Sequence, residues 1–221
     1  MDPLAYATEQ ILRAGRRLGA RGLISAGEGN LSVRLDADRL LATPTGRRKD
    51  ELESGDLVVV WVGHPDREAI SPSGLRPTSD LAIHLAIHAA RRDVIAVAHA
   101  HLPASMGLTL AGEIPDPAAL PETAMLLPRL PFLTLGVPGS TELAGRVAAA
   151  LTEPPDPFAT AVLLERHGAL AVGGDPAQAV DRLELVEVLC RTWRDALLIR
   201  AARPRTGIVR PRSPASQSEG Q

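Results

Sequence analysis

The stretch DVIAVAHAHL, residues 93–102, decides how this chain is read. Its run of small and β-branched apolar residues has the length and composition of a strand buried by the rest of the fold, and it ends on two histidines with one alanine between them. Side chains alternate faces along a strand, so His99 and His101 point the same way, with backbones about 7 Å apart at a rise of roughly 3.3 Å per residue. Two imidazoles so placed can meet one metal ion between them. Equally, one can be a hydrogen-bonded core residue and the other a strand end in solvent, and the pattern alone leaves both readings open.

Upstream of this strand, LSVRL (31–35) and RLLAT (39–43) flank an Asp-rich turn, and DLVVVWV (56–62) is a dense β-branched run; these are three further strands. A helix is predicted from about Thr78 to Arg91, opening at the turn residues of PSGLRPTSD, with Ser79 and Asp80 near its N-terminus. Asp2 as cap and Pro3 at the first position start another helix over residues 3–20, where Leu4, Ile11, Leu12 and Leu18 recur at helical spacing. Downstream, a short helix begins near Pro103, and a helix capped by Ser140 or Thr141 follows a proline-rich passage. ATAVLLERHGALAVGG reads as two strands meeting at a tight turn. In the final helix Asp175 is the cap, Pro176 takes the first position, Gln178 completes a box-like pair, and the apolar period runs to about Ala202. No internal repeat is found. Residues 1–203 therefore read as one α/β domain with several antiparallel strands, and residues 204–221, with little apolar content, as a flexible tail.

Composition narrows the chemistry. With 24 basic and 26 acidic residues spread along 221 positions, the chain has no basic patch for nucleic acid or an anionic membrane. No apolar run is long enough for a membrane helix and the N-terminus lacks a signal-peptide pattern, so a cytoplasmic protein is expected. The single cysteine, Cys190, excludes an internal disulfide and reads as a buried thiol in a helix. Lys49 is the only lysine, set in the polar run GRRKDE, where nothing is expected to desolvate it as an imine-forming amine requires. Tyr6 is the only phenol.

A third histidine, His167 in LLERHGAL, follows an apolar strand and precedes Gly168, which permits a sharp turn. It is either a surface turn residue or a third ligand; three imidazoles leave a coordination position open for substrate, as catalytic zinc sites do. His64 lies in a polar turn. His84 and His88, at i and i+4 on one helix, form a competing metal pair, although their apolar neighbours favour helix packing.

Five motifs in order, GEGNLSVR (27–34), TPTG (43–46), RPTSDLAIH (76–84), AHAHLPAS (98–105) and RHGALAVGG (166–174), resemble the class II aldolase/adducin family, whose members include L-fuculose-1-phosphate aldolase and L-ribulose-5-phosphate 4-epimerase. The resemblance covers about residues 5–200. It implies a single three-layer α/β/α domain with a largely antiparallel central sheet, and His99, His101 and His167 as ligands to a divalent metal, zinc before manganese or cobalt. It further implies a homotetramer with sites at subunit interfaces. GEGN and TPTG can expose backbone N–H groups, and a helix N-terminus favours an anion. By resemblance, Asn30, Thr45, Gly46, Thr78 and Ser79 hold a substrate phosphate, in a cradle that contains no lysine. Arg47 and Arg48 read as solvated loop charge.

Asp80 departs from the aldolases, which carry glutamate there; the epimerases resemble this chain in having aspartate. The resemblance makes it the proton-transfer group, whereas the plain alternative is a helix cap. The tyrosine acids of these enzymes are missing, since no Tyr follows Tyr6, and Glu122 in ALPET is read either as the substitute or as a surface loop acid. The implied activity is reversible retro-aldol cleavage of a phosphorylated ketose or related hydroxycarbonyl compound. Epimerisation, decarboxylation and dehydration use related parts, and the adducin branch keeps the fold as a binding module without metal ligands.

Overall fold

The computed structural model describes residues 2–64, 67–154 and 157–203; the expected flexible tail, 204–221, lies outside them. Helix α1 (Pro3–Ala20) starts where Asp2 accepts the Leu4 N–H at 3.3 Å. It buries Ala7, Ile11, Ala14 and Leu18, an i, i+4, i+7, i+11 stripe. Then come β1 (Asn30–Arg34), β2 (Arg39–Ala42), β3 (Val58–Trp61), α2 (Leu81–Ala90), β4 (Ala96–Ala100) and α3 (Pro103–Leu110). Next are α4 (Pro121–Leu126), β5 (Phe132–Leu133), α5 (Thr141–Thr152), β6 (Ala161–Leu164), β7 (Gly168–Gly173) and α6 (Pro176–Ala202).

The seven strands form one sheet in the order β3-β2-β1-β4-β7-β6-β5, antiparallel at every pairing except the parallel β5–β6 edge. Strand alternation sorts the core into layers. Ala96, Ala98, Ala100, Ala169 and Ala171 face Ala179, Val180, Leu183 and Val186 of α6, with α1 beside it; their small side chains let that helix lie close to the sheet. Val97, Leu170 and Val172 face the opposite side, where Ile83 and Ile87 of α2 meet Leu143, Val147 and Leu151 of α5. The architecture is thus the three-layer α/β/α arrangement expected from the sequence. Across the first layer Arg17 of α1 pairs with Asp181 at 2.6 Å and Glu184 at 2.8 Å on α6.

Element ends carry the informative differences. The final helix follows the sequence reading: Asp175 accepts the Gln178 N–H at 2.8 Å and Gln178 Oε1 accepts the Gly174 N–H at 2.8 Å. Ser140 is the cap of α5. The predicted helix over 78–91 begins only at Leu81, because Thr78 to Asp80 form a turn bound to the β2 exit: Thr78 N–H donates to Thr43 O at 3.0 Å, and Thr45 N–H to Arg76 O at 3.1 Å. Strand β5 and helix α4 are absent from the sequence reading; they are two and six residues long and lie among prolines, too short for a period to register.

Candidate active site

Two close backbone approaches bring the histidines together. His99 is on β4, His101 lies just beyond its end, and His167 occupies the turn between β6 and β7. Gly168, at φ +92°, brings that turn against the β4 end; a Cβ there would lie 2.1 Å from the Ala100 carbonyl oxygen and 2.8 Å from His101 Cα. Gly29, at φ +69°, does the same from the β1 side, against the His99 carbonyl. The three rings stand 4.8, 4.8 and 5.1 Å apart between centroids, and one nitrogen from each lies within 4.8 Å of the other two. Among the described residues this is the one such His/Cys/Asp/Glu group.

The surrounding hydrogen bonds leave nitrogens free for a metal. His99 Nδ1–H donates to Ala169 O at 3.0 Å, so its Nε2 carries the lone pair; that atom is buried with no partner. Glu28 Oε1 lies 3.4 Å from His101 Nδ1, the contact by which a carboxylate orients a ligating imidazole. Sequence reasoning passed over Glu28; its signal was its place two residues before Asn30 in GEGN. Burial, with His167 and His101 nearby, pushes His99 down to about 3, and burial also lowers His167. Burial that disfavours the charged form of His99 and His167, together with an orphaned buried nitrogen, fits a divalent cation.

Asp80 stands beside this cluster. It occupies the cap position of α2, yet its side chain makes no capping bond. Oδ2 instead accepts the Asn30 Nδ2–H at 2.8 Å and lies 4.0 Å from His99 Nε2, while Oδ1 is buried without a partner. Burial works to raise its pKa, and the hydrogen bond from the Asn30 amide works to lower it. The helix-cap reading therefore fails for the side chain.

Behind Asn30 runs a buried polar chain in which one proton assignment satisfies every link. Arg34 Nη2 donates to His88 Nδ1 at 3.2 Å, and His88 Nε2–H to Ser32 Oγ at 3.0 Å. The Ser32 hydroxyl then donates to His84 Nδ1 at 2.7 Å, and His84 Nε2–H to Asn30 Oδ1 at 2.6 Å. Burial pushes His84 down to about 4, and burial with Arg34 pushes His88 to about 3, so both are neutral as the chain requires. They are neither a metal pair nor plain apolar packing, which corrects the sequence reading.

A cavity of about 310 Å³ opens on this cluster and is lined by Gly27, Glu28, Asn30, Thr45, Thr78 and Ser79 as well as Asp80, His101 and His167. The motif residues expected to hold phosphate thus come together, except that Gly46 does not line the cavity; it is exposed and lies beside Gly27. Lys49 also lines the cavity and is only 2% exposed. Its Nζ donates to Gly27 O at 2.8 Å and to Arg47 O, and burial lowers its pKa to about 8. The expectation of a solvated lysine and a lysine-free cradle is therefore corrected: Arg47 and Arg48 turn outward while Lys49 turns in. Glu122 is exposed on the first turn of α4 and Tyr6 is exposed on α1; neither lines the cavity. Cys190 is buried, which pushes its thiol up to about 12.

Residues 9–194 match the profile of the family described as Class II Aldolase and Adducin N-terminal domain. The chain belongs to this family. Among class II aldolase/adducin proteins it is 31% identical over 202 residues to methylthioribulose-1-phosphate dehydratase of Acidiphilium cryptum, covering 85% of this chain and 90% of that one. It is 31% identical over 184 residues to 3-oxo-tetronate 4-phosphate decarboxylase of Haemophilus influenzae, covering 81% and 82%. The crystal structure of L-fuculose-1-phosphate aldolase from Thermus thermophilus superposes with a TM-score of 0.76 at 27% identity, covering 90% of this chain and 98% of that one.

Proposed function

We propose that this protein is a divalent-metal-dependent lyase acting on a phosphorylated ketose or related hydroxycarbonyl compound, with reversible retro-aldol cleavage as its reaction. The observation that supports it is the convergence of three imidazoles next to a carboxylate whose Oδ1 has no partner. A cation held by His99, His101 and His167, which as an imidazole set suits zinc, manganese or cobalt, would supply Lewis acidity to a carbonyl oxygen and so stabilise charge developing beside it. Lys49 offers no imine route, because its nitrogen is engaged as a donor to two carbonyls.

Asp80 is the proton carrier of this reading. Ionised, it takes the proton of the hydroxyl β to the substrate carbonyl; the Cα–Cβ bond breaks, its electron pair passes to the donor fragment as an enediolate, and an aldehyde leaves. The same carboxyl, or a second acid, then delivers a proton to the α carbon. Asn30 holds it in place, and Thr45, Thr78 and Ser79 take the phosphoryl group with the N-terminus of α2.

The dehydratase and decarboxylase relatives support a second reading at the same site. Run in the other sense, Asp80 removes the α proton and delivers it to a β hydroxyl that departs as water. The deciding experiment is incubation of the zinc-loaded protein with L-fuculose 1-phosphate, L-ribulose 1-phosphate, L-ribulose 5-phosphate, methylthioribulose 1-phosphate and 3-oxo-tetronate 4-phosphate. Triose phosphate release marks aldol cleavage, epimeric pentulose phosphate an epimerase, loss of water a dehydratase, and carbon dioxide a decarboxylase. No turnover of any by metal-loaded protein would favour an adducin-like binding module.

A cytoplasmic homotetramer belongs to the same proposal. Association of chains, though not their number or location, is supported by the apolar side chains left exposed around α3 and α4, Leu110, Ile114, Met125 and Leu126. Glu122 stands on that same helix outside its own cavity, so its role as the acid is proposed for the cavity of a neighbouring subunit.

A further inference from the structure

Of 24 Lys and Arg residues in the chain, one is a lysine, and it is the one cationic side chain of that kind lining the cavity. Lys49 is 2% exposed and makes no ion pair among the described residues. A buried charge without a counter-ion is costly, and a methionine of similar volume would fill the space without that cost. Burial accordingly lowers the ammonium pKa to about 8. The position is also rigidly built: α1 packs so tightly on it that a Cβ at Gly15 would lie 2.1 Å from the Lys49 carbonyl oxygen.

The nearby guanidiniums cannot take its place. Arg47 is exposed, and Arg48 is spent on Asp50 at 2.9 Å and Glu51 at 2.7 Å. The fixed charges otherwise lining the cavity are carboxylates, Glu28 and Asp80, which would repel an entering anion. Lys49 donates two of its three N–H groups to Gly27 O and Arg47 O, the carbonyls of the two loops that frame the opening, and one N–H remains. A compact ammonium suits this place better than a planar fork, because the two carbonyls and the ligand approach one atom.

We propose that Lys49 is the cationic anchor of the phosphoryl subsite: it ties the GEGN and TPTGRR loops together and supplies the positive charge that a phosphate dianion requires on entering this cavity. The inference rests on the reading that the substrate is phosphorylated, and it replaces the lysine-free cradle with one that has a built-in counter-charge.

Because the chain has a single lysine, labelling with 13C,15N-lysine gives one side-chain ammonium signal. The protein is titrated with inorganic phosphate as purified and again after chelation of its metal, with the affinity measured in parallel by calorimetry. The proposal expects a saturable shift of that signal with the calorimetric Kd. It also expects phosphate to bind about tenfold or more weakly to Lys49→Met, as loss of a charged hydrogen bond implies, while Thr45→Ala weakens binding as well. Wild-type binding that leaves the lysine signal unmoved, or unchanged affinity in Lys49→Met with weakening in Thr45→Ala, overturns the role of Lys49 and leaves the cradle standing. Absence of any phosphate binding by the wild type overturns the phosphorylated-substrate reading and this inference with it. Should Lys49→Met fail to fold, the wild-type lysine signal alone decides.

Discussion

Asn30 on β1 and His99 on β4 are cross-strand partners, and Asp80 reaches both from the start of α2, 2.8 Å from the Asn30 amide and 4.0 Å from His99 Nε2. The register of two central strands thus places the carboxylate beside the histidine cluster while an amide fixes its orientation. An Asp80→Asn protein keeps the shape and all three imidazoles but loses the proton carrier. Its turnover is expected to fall by about 10²–10⁴-fold, with metal content by mass spectrometry unchanged. Full activity in that variant would remove Asp80 from the chemistry.

The same amide is held from behind by His84, and Ser32 is the link on which the chain depends, since its one hydroxyl serves both His84 Nδ1 and His88 Nε2. Ser32→Ala leaves two buried ring nitrogens unpaired. Destabilisation by about 2–4 kcal/mol is expected from urea unfolding. A cost near zero would mean that the histidines find other partners and that the chain is incidental.

Acid should weaken the fold through these same two rings. His84 and His88 titrate near 4 and 3 in the native protein, well below about 6.5 for an unfolded histidine. Between those values the unfolded chain binds protons that the native one does not, so stability is fully present above about pH 6.5 and is lost as pH falls toward 4. The slope approaches about 2.7 kcal/mol per pH unit for these two rings, and about 4 kcal/mol in the metal-free protein, where His99 is held down to about 3 as well. Denaturant unfolding of the metal-free protein at a series of pH values measures it, and a flat profile between pH 6.5 and 4.5 would contradict the buried neutral assignment.

Where the sequence was legible, a local period or a turn residue spoke for itself. Asp175-Pro176 gave the start of α6, and the alternation in VIAVAHAH put His99 and His101 on one face. His167 could not be joined to them by spacing, because a glycine contact with the end of β4, made by Gly168 far along the chain, brings it there. Lys49 was misread for a related reason: a polar sequence context says nothing of a loop folded under α1. The roles of Ser32, His84 and His88 likewise depend on which strand lies under which helix, and nothing local encodes that.

Metal binding should appear as folding stability. An ion held by the cluster would give the His99 Nε2 orphan a partner, and an ion bound to the native state alone stabilises by about 2.7 kcal/mol at a hundred times its Kd. Zinc is therefore expected to raise Tm in the wild type and, through the lost ligand, to do far less in His167→Ala. Equal Tm shifts in the two proteins would place the ion elsewhere.

Glu122 and Asp80 offer a test of assembly that single variants cannot give. Glu122 is exposed on α4 and outside the cavity of its own chain, whereas Asp80 is buried in it. If each site takes Asp80 from one subunit and Glu122 from the next, Asp80→Asn and Glu122→Gln tetramers are both impaired. Hybrids made by unfolding and refolding the mixture contain some cavities with both native groups, and activity is regained. If Glu122 has no catalytic part, Glu122→Gln is fully active alone; if it acts in its own chain's cavity, the hybrids regain no more than a dilution of the parent activities. Light scattering on the same samples establishes whether the chains associate as four.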